Sequence, residues 1–456
     1  MENRILIKDV KDHIGETIVL MGSVDLRRDH GKLIFIDLRD RTGKIQVVIN
    51  KKHEEVYNVF ENAKVEWVLK INGLIKKRMD GTVNENVLNG DLEMEALSGE
   101  ILGMADELPF ERDAEIGAET YLNYLPLTLR TDKARAIFKI QAQIIRSFRD
   151  FLTSENFTEI QAPKIIGEDA EGGANTFSFD YFGHTAHLAQ SPQFYKQIMV
   201  GVFERVFATG NVYRAEPHST TRHLNEYTSL DFEMAFIEDH EDIIKMQTEL
   251  LRYIIGELKK NCAEDFKVLS VKIPEVPARI PAIKMRELQE IIKKETGEDC
   301  CNAPDLDPKH ERWAYDYAMK EFNSEFIFVT HFPVSKRPMY TYEDENDPGF
   351  TKSFDLLFRG IEITTGGQRI HDYKKLIESM KKKGLDPQKF SYYLQAFKYG
   401  MPPHGGIGMG LERLTEKLIN VENIREATLF PRDMHRIDIL LNKNQELGIK
   451  NQEEGN

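Results

Sequence analysis

The stretch that most constrains the fold runs from Arg214 to Phe236, R-A-E-P-H-S-T-T-R-H-L-N-E-Y-T-S-L-D-F-E-M-A-F. Val206-Phe207-Ala208 before it and residues 230–236 at its end read as two strands, one entering and one leaving. The second alternates: Leu230, Phe232, Met234 and Phe236 share one face, Asp231 and Glu233 the other. Between the strands lies a loop with two arginines, two histidines and two carboxylates. Arginine presents a planar fork of donors that matches phosphate and carboxylate oxygens. A strand, a cationic loop and a strand with acids on one face suit a polyanionic ligand with a metal nearby. A solvated hairpin with surface ion pairs fits the same residues.

At 456 residues the chain exceeds one hydrophobic core, so two or three domains are expected. No apolar run approaches the roughly 20 residues of a membrane span, and the start, M-E-N-R-I-L-I-K-D-V, lacks the apolar centre of a secretory signal. The cysteines Cys262, Cys300 and Cys301 include no C-x-x-C pair, which argues against a disulfide frame or zinc site and for a reducing cytoplasm. A net charge of -14 argues against a mere nucleic-acid coat, although a local basic face would still suffice for nucleic acid.

The first hundred residues read as strands at 16–29, 32–39 and 44–50, a helix at 52–63, then strands at 65–76 and 92–101. The D-R-T-G turn between the second and third is a hairpin signal. Three strands, a helix and two strands is the order of an OB-fold β-barrel, which stacks single-stranded bases on aromatics over a basic groove. Arg27, Arg28, Phe35 and Gln46 are candidates for that surface, with barrel core as the alternative for Phe35. Residues 105–130, with Pro109 and Pro126, read as a linker. A helix at 131–156 follows from Ile137, Ile140, Ile144, Phe148 and Phe151. Further helices are expected at 242–259, 373–383 and 386–399, and a strand at 360–365. Strands and helices without regular β-α-β alternation favour an α+β domain on an antiparallel sheet flanked by helices. The resulting division is 1–104, 105–130 and 131–456.

Three more places concentrate unusual residues. Glu171-Gly172-Gly173, followed by Q-S-P-Q-F-Y-K at 190–196, offers close backbone approach, an acid for an ammonium group and Lys196 for an anion. In E-I-T-T-G-G-Q-R at 362–369, Glu362 suits Mg²⁺ through oxygen and Arg369 a carboxylate. The run G-G-I-G-M-G-L-E-R-L at 405–414 opens a helix, where phosphate is favoured, but it has neither the Walker nor the G-x-G-x-x-G order.

Together these stretches resemble, in order, the three signature motifs of the class II aminoacyl-tRNA synthetases. F-T-E-I-Q-A-P-K-I resembles the first motif, whose proline, here Pro163, implies a homodimer interface. Y-R-A-E with R-H-L-N-E-Y resembles the second, and G-I-G-M-G-L-E-R-L the third. The barrel resembles the anticodon-binding domain of the aspartate, asparagine and lysine subgroup, with Arg28, Phe35 and Gln46 toward the anticodon. The catalytic part is most similar to the aspartyl branch, in its compact archaeal form, and the barrel looks more bacterial. The resemblance implies ligation of L-aspartate to tRNA at the expense of ATP.

It also implies roles. Arg214 would hold the α-phosphate and the reacting carboxylate. Ala215, Glu216, Arg222, His223 and Leu224 would seat ATP, with Tyr227 stacked on adenine in place of the usual phenylalanine. Gly410, Leu411 and Glu412 would also line the ATP site, and Arg413 would close over the other face of adenine and the γ-phosphate. Glu362 would carry Mg²⁺ with Thr365 and Asp355; Thr365 replaces a usual serine, keeping the oxygen and adding a methyl. Aspartate would lie among Glu171, Gln193, Phe194, Tyr195, Lys196, Asp231, Thr365 and Arg369, its side-chain carboxylate between Lys196 and Arg369. Asparagine would leave two cations under-paired; an asparaginyl enzyme, lacking the lysine of Q-x-x-K, is the alternative. His30 and Gly81 match the pattern of enzymes that charge tRNA(Asn) as well as tRNA(Asp). A turn residue and a loop glycine are the plain alternatives, and a strictly discriminating enzyme stays open.

Overall fold

The computed structural model describes residues 4–79, 81–84, 89–110, 116–168, 175–217, 220–438 and 441. It divides into two compact units, Met1–Ile116 and Gly117–Asn456.

In the first unit, β1 (Thr17–Asp29), β2 (Leu33–Arg39), β3 (Lys44–Asn50), β4 (Val68–Lys77) and β5 (Leu92–Gly103) close into a barrel in the order β1-β2-β3-β5-β4. Each strand sends alternate residues inward, as Ile45, Val47 and Ile49 of β3 do. Helix α1 (Glu54–Phe60) plugs one end with Phe60, whose ring fills the space beside Gly99; a Cβ there would lie 2.6 Å from Phe60 Cζ. The fourth strand starts three residues later than the sequence predicts. Glu66 takes a left-handed conformation (φ 67°), and Trp67 turns inward to donate its Nε1–H to Ala105 O at 2.9 Å.

The second unit opens with α2 (Ala118–Asn123) and α3 (Leu125–Thr128). Both fall in the stretch expected to be linker. Arg436 ties α2 down, donating to Leu122 O at 3.3 Å and Asn123 Oδ1 at 2.7 Å. Then come α4 (Asp132–Ser154), N-capped by Thr131, and the short strands β6 (Thr158–Glu159), β7 (Ile165–Ile166), β8 (Ser178–Tyr181) and β9 (His184–Leu188). Helix α5 (Gln193–Phe203) leads into the hairpin β10 (Arg205–Tyr213) and β11 (Glu226–Ala235), and α6 (His240–Asn261) follows. Helix α7 (Ala263–Val268), β12 (Ala282–Lys284), α8 (Met285–Thr296), α9 (Pro308–Phe322) and β13 (Phe326–Thr330) make a segment that the sequence reading left without elements. The chain continues through β14 (Ser353–Phe358), β15 (Ile361–Arg369), α10 (Tyr373–Lys382), α11 (Ser391–Lys398), β16 (His404–Gly410) and α12 (Leu411–Ile419).

Among the described residues the main sheet has eight strands in the order β12-β13-β14-β15-β16-β11-β10-β6. Its interior pairs are antiparallel; the two edge pairs, β10 with β6 and β12 with β13, are parallel. The expected antiparallel sheet is thus present, with one parallel pair added at each edge. Leu230 and Phe232 of β11 bury with Ile137, Ile140, Ile144 and Phe148 of α4 in the main core, which leaves Asp231 and Glu233 on the opposite face.

Three expectations fail locally. Phe236 does not join Leu230, Phe232 and Met234: the chain turns left-handed there (φ 57°) and leaves its ring 69% exposed. The helix expected at 386–399 is a 3-10 turn, Pro387–Phe390, followed by α11. The glycine-rich run is a central strand, and the helix begins only after it.

Candidate active site

A cavity of about 620 Å³ opens on the sheet face away from α4, above β11, β16 and β15. The register sets Asp231 opposite Gly408 and Glu233 opposite Gly406 on β16, and Arg369 of β15 opposite His404. The glycines make room for the acids. A Cβ on Gly406 would overlap Phe232 O and Glu233 Oε2, and one on Gly405 would lie 2.6 Å from Gly367 O.

Two cations meet these two acids. Lys196, on α5, is 1% exposed; its Nζ donates to Asp231 Oδ1 and Ile407 O, both at 2.8 Å, and lies 3.5 Å from Glu233 Oε2. Arg369 donates through Nε to Glu233 Oε1 at 2.9 Å and through Nη2 to Gly406 O at 3.0 Å. Gln193 Nε2 reaches Glu233 Oε2 at 3.5 Å. Burial works to raise the Glu233 carboxyl, but Arg369, Lys196 and His404 outweigh it and hold the group below its usual range. Such a buried set is tolerated because each charge is both paired and hydrogen-bonded.

The other end of the cavity is built from the loop between β10 and β11 and from α12. Asn225 shapes the loop by donating to Arg214 O at 2.7 Å and Glu216 O at 3.3 Å. The Arg214 guanidinium stands 5.7 Å from the centre of the Tyr227 ring and 4.0 Å from Glu216 Oε1; Glu216 in turn meets His223 Nε2 at 3.3 Å. Arg222 pairs with Glu311 of α9. Arg413 donates to Glu362 O at 3.1 Å and lies 3.5 Å from its Oε2, while Thr365 Oγ1 donates to Glu362 Oε1 at 2.7 Å. Glu412 spends both oxygens on the backbone N–H of Thr228, at 3.1 and 3.0 Å, tying α12 to β11; burial pushes its carboxyl up to about 7.

Asp355 of β14 also faces the cavity. It pairs with Arg337 at 2.8 Å, yet neither Asp355 Oδ1 nor Arg337 Nη2 completes a hydrogen bond, and burial raises the carboxyl to about 7. Among the described residues no group of three or more His, Cys, Asp or Glu is placed to hold a metal. What the cavity offers is a pair of carboxylates, Asp355 and Glu362, one with a buried oxygen lacking a hydrogen bond, beside a hydroxyl. That all-oxygen set fits a hard divalent cation whose remaining ligands are phosphate and water.

Fourteen of the sequence-predicted residues line the cavity with Arg214: Gln193, Glu216, Arg222, His223, Leu224, Tyr227, Asp231, Asp355, Glu362, Thr365, Arg369, Gly410, Glu412 and Arg413. Others do not. Phe194 turns away to stack on Tyr393 at 4.3 Å, Tyr195 and Ala215 are not part of the wall, Leu411 joins the main core, and Lys196 lies under the floor. Glu171 lies outside the described residues. Reasoning from sequence missed Arg337, which carries no motif, and the hub role of Glu233, for which its alternation with Asp231 was the available signal.

On the barrel, Arg28, Phe35 and Gln46 share the outer face of β1, β2 and β3: Arg28 Nη2 reaches Asp37 Oδ1 at 3.0 Å and Gln46 Oε1 at 3.4 Å, and His30 sits edge-on to Phe35 at 5.5 Å. Phe35 is therefore not core. Arg27 does not join them; strand alternation turns it to Asp29 (2.8 Å) and Glu61 O (2.6 Å). Gly81 takes φ 86° with open space around it, so its backbone alone favours glycine.

Residues 117–434 match the family of class II tRNA synthetases (D, K and N), and residues 18–102 match OB-fold nucleic acid binding domains. The chain is 45% identical to an aspartate–tRNA(Asp/Asn) ligase of Thermus thermophilus, over 95% of this chain and 99% of the relative. It is 36% identical to an aspartate–tRNA(Asp) ligase of Pyrococcus abyssi, over 93% and 96%. Among solved structures it is similar to the Pyrococcus horikoshii asparaginyl-tRNA synthetase complexed with asparaginyl-adenylate, with a TM-score of 0.84 at 30% identity over 93% of this chain and 97% of that one. A putative aspartyl-tRNA synthetase from Leishmania major also gives 0.84, at 28% identity over 95% of each chain. Barrel, sheet order and paired-charge cavity agree with these matches in making the chain a member of the class II tRNA synthetases (D, K and N).

Proposed function

We propose that the chain is an aspartate–tRNA ligase that activates L-aspartate with ATP and transfers it to tRNA(Asp), and also to tRNA(Asn). The observation that carries this reading is the buried set of Lys196 and Arg369 against Asp231 and Glu233 at one end of the cavity that Arg214 also lines. Aspartate's side-chain carboxylate takes Arg369, with the charge of Lys196 just beneath the floor, and Asp231 and Gln193 take its ammonium group, to which we also assign Glu171. The α-carboxylate is already a nucleophile, so the step requires two anions in contact and in-line geometry rather than a strong base.

Arg214 lies across both the α-carboxylate and the α-phosphate. Tyr227 and Arg413 sandwich the adenine, and Glu216, Arg222 and His223 seat the nucleotide. The carboxylate attacks the α-phosphorus, pyrophosphate leaves, and the terminal ribose 3′-hydroxyl of tRNA then attacks the aspartyl carbonyl, releasing AMP. Glu362 and Asp355, with Thr365 beside them, would hold Mg²⁺, which would supply charge neutralisation on the phosphates. The barrel unit reads the anticodon with Arg28, Phe35 and Gln46, the connection expected at 105–130 ends by residue 116, and the unit from Gly117 onward does the chemistry.

Relatives whose names carry both tRNAs are 45%, 44%, 40% and 38% identical, against 36% for the tRNA(Asp) ligase of Pyrococcus abyssi and 38% for that of Thermoplasma acidophilum. That ordering, with His30 and Gly81, supports charging of both. Among the described residues no helix is long and apolar enough to cross a membrane, and we assign a cytoplasmic homodimer. ATP–pyrophosphate exchange with aspartate, asparagine and lysine tests the amino-acid choice; exchange supported equally by asparagine would overturn it. Charging both purified tRNAs tests the tRNA choice, and failure with tRNA(Asn) alone removes only that part.

A further inference from the structure

Next to Lys196 on α5 stands Gln197, which is fully buried. Its Nε2 lies 2.9 Å from His404 Nε2, and its Oε1 accepts from the Tyr393 hydroxyl at 3.0 Å. His404 Nδ1 lies 2.8 Å from Pro402 O. A carbonyl only accepts, so Nδ1 carries the proton and Nε2 accepts from the Gln197 amide. The amide oxygen is then left for Tyr393. Burial pushes His404 down to about 4, and with a neutral ring no other assignment satisfies all four groups.

This chain joins three elements. His404 begins β16 opposite Arg369 of β15. Two and three residues on, Gly406 O and Ile407 O accept from Arg369 and Lys196. Both pocket cations therefore rest on β16; Ile407 and Met409 anchor its middle and end in the core, but after His404 its start carries only Gly405 and Gly406, which have no side chains to hold it by packing. Gln197 pins the start of that strand to the helix that bears Lys196.

We propose that Gln197 and His404 are positioning residues that fix the spacing of Lys196 and Arg369, and through it the preference for aspartate over asparagine. The inference rests on the aspartate-activating reading above. The remaining charged groups facing His404 are Glu233 on β11, Arg369 on β15 and, just after β15, His371.

The test is ATP–pyrophosphate exchange by the full chain. Gln197→Leu should raise KM for aspartate about 10-fold or more and lower the aspartate/asparagine ratio by a similar factor, with KM for ATP changed less than about two-fold. Tyr393→Phe keeps the ring on Phe194 and removes one hydroxyl, so it should move the same two quantities by about three-fold; it decides the matter if Gln197→Leu does not fold. Gln197→Glu still accepts from Tyr393 but gives His404 no proton. His404 must then bind one, and KM for aspartate should recover as pH falls in this variant and not in Gln197→Leu. Unchanged aspartate KM and ratio in Gln197→Leu or Tyr393→Phe, or equal rises in KM for ATP and aspartate, would overturn the proposal. A wild-type chain inactive with aspartate sinks the underlying reading as well; an active one with unaffected variants sinks the clamp alone.

Discussion

The amino-acid end of the cavity and the outer face of the barrel both present charged side chains, but on opposite terms. Lys196, Arg369, Asp231 and Glu233 are each at least nine-tenths buried and paired at fixed distances. Arg28 and Phe35 stand at the surface, with Arg28 45% exposed and satisfied by Asp37. In the pocket a wrong ligand leaves a desolvated charge without its partner, which costs several kcal/mol. On the barrel, water and salt soften every loss. Strict choice of amino acid and permissive choice of tRNA follow from that difference in burial.

The sharpest way to break the comparison is Arg369→Ala. It removes the nearest partner of Glu233 and a cation of the cavity wall, and kcat/KM for aspartate in pyrophosphate exchange should fall about 1,000-fold, the roughly 4 kcal/mol expected of a broken buried pair. tRNA binding through the barrel should persist. Normal exchange would show that the pocket is no different from a surface. Lys196→Met should cost about 100-fold with aspartate and less with asparagine, narrowing the ratio between them.

A neutral buried group extends the contrast to stability. His240 is buried with neither ring nitrogen hydrogen-bonded, and burial, then His331, pushes it down to about 4 from 6.5. A folded pKa below the unfolded one means stability complete above 6.5 and lost as pH falls toward 4. His240→Leu should therefore recover about 2 kcal/mol at pH 5 and little at pH 8, read by chemical denaturation. An equal effect at both would remove the protonation account. On the barrel, Phe35→Ala should weaken tRNA binding about 10-fold, the low end for one stacked base, and leave exchange untouched. Smallest of all, His30→Gln should lower tRNA(Asn) charging relative to tRNA(Asp) about three-fold in competition assays, because an exposed contact carries little energy.

Much of this was legible in the sequence. The barrel strands alternate cleanly because one face is core, and the cavity residues stood out because arginine, histidine and acid seldom cluster in a loop without cause. What escaped did so for physical reasons. A strand whose only apolar side chains are Ile407 and Met409, set among four glycines, has too short a period to read, so residues 404–410 resemble the approach to a helix. Gln197 and His404 are neutral and resemble ordinary interior polar residues until the partners across the fold are known. Arg337 sits in a loop with no pattern, and its importance lies in Asp355, on β14 of the sheet. Phe194 and Tyr195 were placed by the motif they follow, yet a helix can aim only one side at a cavity, and Gln193 takes it.

The bareness of β16 narrows the paths open to this protein over evolutionary time. Where a strand cannot accept even a methyl group, as at Gly405 and Gly406, drift cannot reshape the pocket by small steps along that strand. A lineage that came to favour a different amino acid would have to exchange the ionised residues themselves, in single large jumps, while the floor beneath them stayed as it was.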